Sequence, residues 1–322
     1  MDTSAIATAL DGTLATLAGF GGVLDIALIA VSAGVLLAAL LPRLRQALRP
    51  ALATLVGLLA LGEFALVWLH LRLWDITTVL DPSTGQLTGS FAVPLWVESE
   101  KLYVWALILG VIALAARRHR EELLPMLAGG TAVLAAGAIL SGHPFTDPLP
   151  DFLAQYRGYL GALGSGDGYA AYGAFQGIEG SRQYYYNTWY MWAHPPLLFV
   201  SYGAFVASFA ATVLMITRRR SSFEQTAYRW ARLGYVPLTL GMLLGFPWAI
   251  LAWGDDSWWW SGKVNMSIMM WLLYTAYLHG RLYLRRRGMW KMVAVLAVLS
   301  FVALVLTYVT TYVVPGAHSV AR

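Results

Sequence analysis

The sequence contains no cysteine. Disulfides, thiolate metal sites and a cysteine nucleophile from this chain are therefore excluded. Charge is also scarce: Asp, Glu, Lys and Arg make up 12% of the 322 residues, against 58% hydrophobic. That is too little polar surface to cover a water-soluble globule of this length. The short alternating segments of a membrane β-barrel are missing, as are internal repeats and low-complexity tails. What the chain has instead is a series of apolar runs of about twenty residues, each able to cross about 30 Å of hydrocarbon. The expected fold is an all-α polytopic transmembrane bundle, one integral membrane domain over 1–322.

About eight spans are expected, at 22–41, 51–70, 99–116, 123–140, 195–216, 233–252, 266–284 and 292–314. Sixteen of the twenty-two Lys and Arg fall on alternate connections, including Arg43, Arg45 and Arg49, Arg218 to Arg220, and Arg285 to Arg287. By the positive-inside rule these connections are cytoplasmic, so both termini face outward. The net charge of +5 then reflects topology and lipid contact, not a nucleic-acid partner. Before Arg43 there is no Lys or Arg, so no basic signal-peptide region precedes the first span. Residues 1–21 are expected to form an outer segment with a short interfacial helix over 5–18, carrying Ile6, Leu10, Leu14 and Leu17 at helical spacing. The long connections, 71–98, 141–194 and 253–265, lie on the outer side, which marks that side as the working face.

Eleven of fourteen tryptophans cluster in the outer half: Trp68, Trp74, Trp96, Trp105, Trp189, Trp192, Trp248, Trp253, Trp258, Trp259 and Trp260. An aromatic belt populates both interfaces. The asymmetry favours an aromatic platform, and indole faces suit a flat, apolar, conjugated ligand.

Of the six histidines, His119 sits in a basic loop, while His70, His143, His194 and His318 share the outer side. His279 is near the inner end of the seventh span. No HExxH or comparable spacing favours zinc. Neutral imidazoles are natural axial ligands of haem iron, and His194 with His318 makes the best outer pair. Glu63 and Asp25 lie within spans and are read as hydrogen-bonded to neighbouring helices. Gly245-Phe-Pro247 is expected to end or kink the sixth span.

Several segments resemble the haem-handling cytochrome c assembly family, the CcmF, CcmC and CcsA group. Met191-Trp-Ala-His-Pro-Pro-Leu-Leu-Phe-Val-Ser-Tyr-Gly-Ala-Phe205 resembles its HPP motif. Ser141-Gly-His-Pro-Phe145 is similar to an NPF segment, with His143 in place of the Asn. Pro94 to Trp105 falls where the family carries a P-x-x-Y-K region. Trp253-Gly-Asp-Asp-Ser-Trp-Trp-Trp-Ser-Gly-Lys-Val-Asn-Met-Ser-Ile-Met-Met-Trp271, followed by Leu278-His279, resembles the WWD domain, with Ser261, Gly262 and Val264 where the family has Asp, Pro and Glu. Val314-Pro-Gly-Ala-His318 resembles the closing segment.

The resemblance implies a haem-binding protein of cytochrome c-type biogenesis in a prokaryotic cytoplasmic (inner) membrane, a component of a haem lyase. Haem b would be held against Trp253, Trp258, Trp259, Trp260, Asn265 and Trp271, its iron ligated by His194 and His318, with His279 available to a second haem. The implied partners are an apocytochrome c carrying Cys-x-x-Cys-His and other cytochrome c maturation membrane proteins. With no nucleophile in this chain, its part is binding and presentation, and no catalytic residue is assigned. The runner-up is a membrane haem-b electron-transfer subunit built on His279. Behind it stand a haem transporter and a structural subunit derived from the family.

Overall fold

A computed structural model describes residues 2–116, 120–220, 222–254, 256–283 and 289–314. His119 and His318 lie outside the described residues, as do Asp255 and Arg285 to Arg287. The described chain is helical apart from one small hairpin, in agreement with the expected all-α polytopic bundle. Each of the eight expected spans falls on a helix. Among the described residues, six helical stretches are long and apolar enough to cross a membrane. The other two are α3 (Lys101–Ala115) and α9 (Gly262–Gly280). At 15 residues α3 is about 22 Å long, short of a hydrocarbon core of about 30 Å. Large apolar side chains point outward along the spans, among them Val23, Ile26, Leu40, Phe64, Leu240 and Ile250. That exposure is costly in water and neutral in lipid.

By internal contacts the chain divides into two compact units. The first comprises 1–107 and 131–192. It opens with α1 (Thr3–Leu40), capped by Asp2, whose carboxylate accepts from the Ser4 and Ala5 backbone N–H groups at 3.0 Å each. The expected short interfacial helix is not separate. A single helix of 38 residues runs through both segments, about 57 Å in length, nearly twice what the hydrocarbon needs. One stripe of α1, Leu10, Leu17, Leu24, Leu28 and Val35, is buried along its whole length. The glycines at its middle do not break it. Gly21 is where Phe145 closes on the helix, and a Cβ there would collide with that side chain.

Next come α2 (Arg45–Ile76) and a hairpin of β1 (Thr78–Leu80) and β2 (Leu87–Ser90), antiparallel with Val79 opposite Gly89. The expected outer loop 141–194 is mostly structured. After α4 (Arg120–Gly137) and a single π turn, α5 (Pro150–Gly164) and α6 (Gly168–Ser181) form a helical hairpin. Gly166 turns it at φ 76°, and Asp167 caps α6 by accepting from Tyr169 and Ala170. Tyr156 and Tyr159 reach across to the β hairpin: Tyr156 donates to Thr78 O at 3.0 Å, and the Tyr159 hydroxyl meets both Leu80 N (2.6 Å) and Leu80 O (2.8 Å). Phe91, Phe152, Tyr156 and Tyr186 form the buried aromatic hub of this cap, with Phe91 and Phe152 edge-to-face at 5.0 Å. Glu98 joins the pieces: its carboxylate accepts from Asp151 N (2.8 Å) and Phe152 N (3.2 Å), the first turn of α5, and from the Tyr186 hydroxyl (3.2 Å). The first turns of α1 pack on α5, where Asp11 pairs with Arg157 at 2.8 Å.

The second unit comprises 108–130 and 193–322. It is built on α7 (Trp189–Arg218) from residue 193 onward, α8 (Ser222–Trp253), α9 and α10 (Met289–Val313). Helices α9 and α10 run antiparallel along their full length: Gly262 faces Thr310 and Val314, while Gly280 faces Met292 and Leu296. Phe205 stacks on Tyr274 at 3.6 Å, and Phe209 stacks on Phe301 at 3.9 Å. At one end Glu224 accepts from Arg281 at 2.7 Å, and the same guanidinium lies 3.9 Å from the centre of the Tyr228 ring.

Candidate functional site at His194 and the tryptophan loop

The second unit carries His194 and the tryptophan-rich segment. His194 sits in the second turn of α7, just before Pro195 and Pro196. Neither proline has an N–H, so the carbonyls four residues earlier lose their helical donors. Met191 O is one of them, and the Trp96 indole N–H donates to it. The helix thus runs through His-Pro-Pro without an orphaned carbonyl at Met191.

The His194 ring is fixed from α8. Its Nδ1 lies 2.6 Å from Gly241 O, a carbonyl that can only accept. Nδ1 therefore carries the hydrogen and Nε2 carries the lone pair, the tautomer a metal ligand needs. Gly245, one turn further along α8, faces the ring directly. A Cβ there would stand 2.7 Å from Cε1, so only glycine leaves the imidazole its place. Trp248 lies 5.9 Å from the imidazole, and Trp253 meets Trp248 edge-to-face at 4.9 Å. Gly245-Phe-Pro247 does not end the helix, since α8 continues to Trp253. Phe246 turns towards the loop instead, stacked with Trp259 at 5.2 Å and 6.1 Å from Trp258, while Trp258 and Trp259 stack at 4.2 Å.

Trp258 is buried, Trp259 is exposed, and Trp260 is 82% exposed. Asn265 does not point an amide into open space. Its Nδ2 donates to Trp259 O (3.2 Å) and Ser261 O (3.1 Å), tying the tryptophan turn to the start of α9. Ser261 is the N-cap of α9, its Oγ accepting from Val264 N at 3.4 Å. Serine and aspartate serve equally well at an N-cap. The change from the expected Asp therefore keeps the capping geometry and removes a charge. Lys263, in the first turn of α9, lies within electrostatic reach of His194.

Trp271 and His279 lie further along α9. The Trp271 indole donates to Thr239 Oγ1 at 3.0 Å and stacks on Tyr235, joining α8 to α9. His279 is exposed near the far end of α9 with Nδ1 2.8 Å from Thr275 O. Fourteen residues separate it from Asn265, about 21 Å along the helix. His70 and His143 belong to the first unit. Phe246, Gly241 and Gly245 also shape the surroundings of His194 and the loop, beside Trp248 from the outer tryptophan cluster, and the roles of the two glycines had no signal in the motifs.

The match to the family model of cytochrome C assembly protein covers residues 95–318. The chain belongs to that family. Cytochrome c-type biogenesis protein CcmF of Haemophilus influenzae is 28% identical over 225 residues, covering 67% of this chain and 30% of that protein. The probable cytochrome c-type biogenesis protein NrfE of Escherichia coli is 36% identical over 126 residues, 38% of this chain and 22% of its own length. The solved cytochrome c heme lyase CcmF has the same fold, with a TM-score of 0.61 at 22% identity, over 94% of this chain and 47% of that one. The chain thus spans less than half the length of these relatives. Within the family match lie His194, the whole tryptophan segment and His279; α1 and α2 precede it.

Proposed function

We propose that this protein binds haem b at the outward face of a bacterial inner membrane and presents it for covalent attachment to an apocytochrome c. The observation that carries this reading is the His194–Gly241 hydrogen bond, which commits Nε2 to the lone-pair tautomer beside Gly245, Trp248 and Trp253. The donor set fits haem: a neutral imidazole for iron, indole faces for the macrocycle, and in Lys263 a cation near enough to favour propionates. His194 and His318 are the proposed axial ligands. Trp253, Trp258, Trp259 and Trp260 are the proposed platform, and Asn265 fixes the turn that carries them. When bound, haem supplies two vinyl groups across which the thiols of an incoming Cys-x-x-Cys-His segment add, sulfur to one carbon and hydrogen to the other. This chain, lacking cysteine, contributes position, and no thiol. Other cytochrome c maturation membrane proteins are the proposed partners for delivery.

The test is a reduced-minus-oxidised visible spectrum of the detergent-purified protein with His194→Ala and His318→Ala. The expected result is a bis-imidazole signal in the wild type that both substitutions lose or shift. Absence of haem after haem-replete expression defeats the proposal. A second reading, a haem-b electron carrier, draws on His279: its Nδ1 faces Thr275 O, which leaves Nε2 as the lone pair on an exposed face. A signal abolished by His279→Ala and unchanged by the other two substitutions would select it.

A further inference from the structure

The first unit contains a set of buried ionisable groups that serves no part of the His194 site. His70 on α2 is 7% exposed and Glu100, in the turn before α3, is 0% exposed. His70 Nδ1 lies 2.8 Å from Val93 O and Nε2 lies 2.8 Å from Glu100 Oε1. A carbonyl accepts only, so Nδ1 bears a hydrogen. The second contact also requires a proton, because an imidazole lone pair and a carboxylate oxygen at that distance repel. The pair therefore holds one proton more than a neutral imidazole plus a carboxylate, as imidazolium–carboxylate or as imidazole–carboxylic acid. Both forms are net neutral, the condition that an apolar interior imposes.

A next carrier stands beside the pair. Glu63 is seven residues before His70 on α2, on the same face and about 10 Å along the helix. It lies within electrostatic reach of both His70 and Glu100. Glu100 Oε2 and Glu63 Oε2 are both buried and have no hydrogen-bond partner among the described residues. Neighbouring carboxylates in apolar surroundings share protons instead of both carrying charge. The other titratable groups around them are Asp25 on α1, whose Oδ1 is likewise buried without a partner among the described residues, Tyr103 on α3, which donates to Leu59 O at 2.8 Å, and His143, which lies within electrostatic reach of Asp25. Gly62 lets the Tyr103 hydroxyl close on α2 beside Glu63, where a Cβ would collide with it.

We propose that His70, Glu100 and Glu63 form an intramembrane proton-binding site, loaded in the geometry described, that exchanges its proton between His70 and Glu63 by way of Glu100. The Nε2–H bond of His70 breaks as the Glu100 O–H bond forms. After rotation of that carboxyl, its O–H breaks as an O–H forms on Glu63. The reverse transfers, from Glu63 to Glu100 and from Glu100 to Nε2, return the proton to His70. Intramembrane ionisable residues are costly and persist where they do such work.

The test uses the full chain in lipid nanodiscs, with pH-jump infrared difference spectra in H₂O and D₂O and nitrogen-15 NMR of labelled histidine. The expected wild-type result is a deuterium-sensitive carboxylic C=O band, lost in Glu63→Gln and restored in Glu63→Asp. Glu100→Gln is expected to convert His70 from a proton-sharing ring to one with a bare nitrogen. A band that survives Glu63→Gln unchanged overturns the proposal, as does a wild-type His70 with a bare nitrogen opposite an ionised Glu100. None of these readouts needs haem, so the haem reading and this one fail separately.

Discussion

The two units solve the problem of polarity in an apolar medium in opposite ways. In the first, carboxylates are taken inside: Glu98 and Glu100 have partners on some of their oxygens, and Asp25 and Glu63 sit among helices. In the second, the surroundings of His194 hold indoles, glycines, backbone carbonyls and one lysine, and the position where the family resemblance predicts an acid is Ser261. The lesson is one of chemistry. Buried acids suit a site that stores protons, whereas a neutral imidazole among aromatic faces suits a dianionic, flat ligand with a metal at its centre.

That contrast can be broken most severely at Glu100. Glu100→Ala leaves a buried His70 opposite nothing, and loss of one partner of a buried pair costs about 3–5 kcal/mol. Thermal unfolding in detergent should show the drop, with hydrogen exchange rising first in α2 and the β hairpin. Gly245→Val tests the other unit: the added branch displaces the His194 ring, and haem affinity should fall at least about tenfold, or about 1.4 kcal/mol, in a haem titration.

The pH dependence of the cap is a sharper probe. Burial pushes the Glu98 carboxyl up to about 7. Because this folded value exceeds the unfolded one, the folded state binds the extra proton. Its stabilisation is present in full at low pH and is lost as pH rises through 7. The opening free energy of α5, from hydrogen exchange corrected for the intrinsic rate, should therefore fall from pH 5 to 7.5 by an amount on the order of 1–2 kcal/mol, and Glu98→Gln should flatten the profile. The smallest effect is expected at Ser261. Ser261→Asp keeps the cap of α9 and should leave stability within about 0.5 kcal/mol, while the added charge lowers the reduction potential of bound haem in a redox titration.

Hydropathy made the membrane helices legible because lipid imposes one signal on every span. It could not show that residues 3–40 are one helix, since the glycines at 19, 21 and 22 look like a break until Phe145 is seen against Gly21. The cap escaped for a different reason. Its helices are short and amphipathic, and their burial depends on a β hairpin some eighty residues away in sequence. The signals were there in part: Pro150 at the first position of α5, and Asp167 after Gly166 as a turn and cap. His194 was readable from its His-Pro-Pro setting. Its tautomer was not, because the oxygen that decides it belongs to Gly241, 47 residues further on.

The Trp96 indole on the Met191 carbonyl makes His-Pro-Pro a motif in two instalments. Proline directly after the histidine stiffens the backbone and leaves an acceptor without its donor, so the stiffness is tolerable only if some distant residue supplies the N–H. Position 96 should therefore evolve in step with position 195. A homologue that relaxes Pro195 to an ordinary residue regains its own donor and is released from keeping an indole at 96, and one that loses the indole first inherits a polar defect a single turn from its proposed iron ligand.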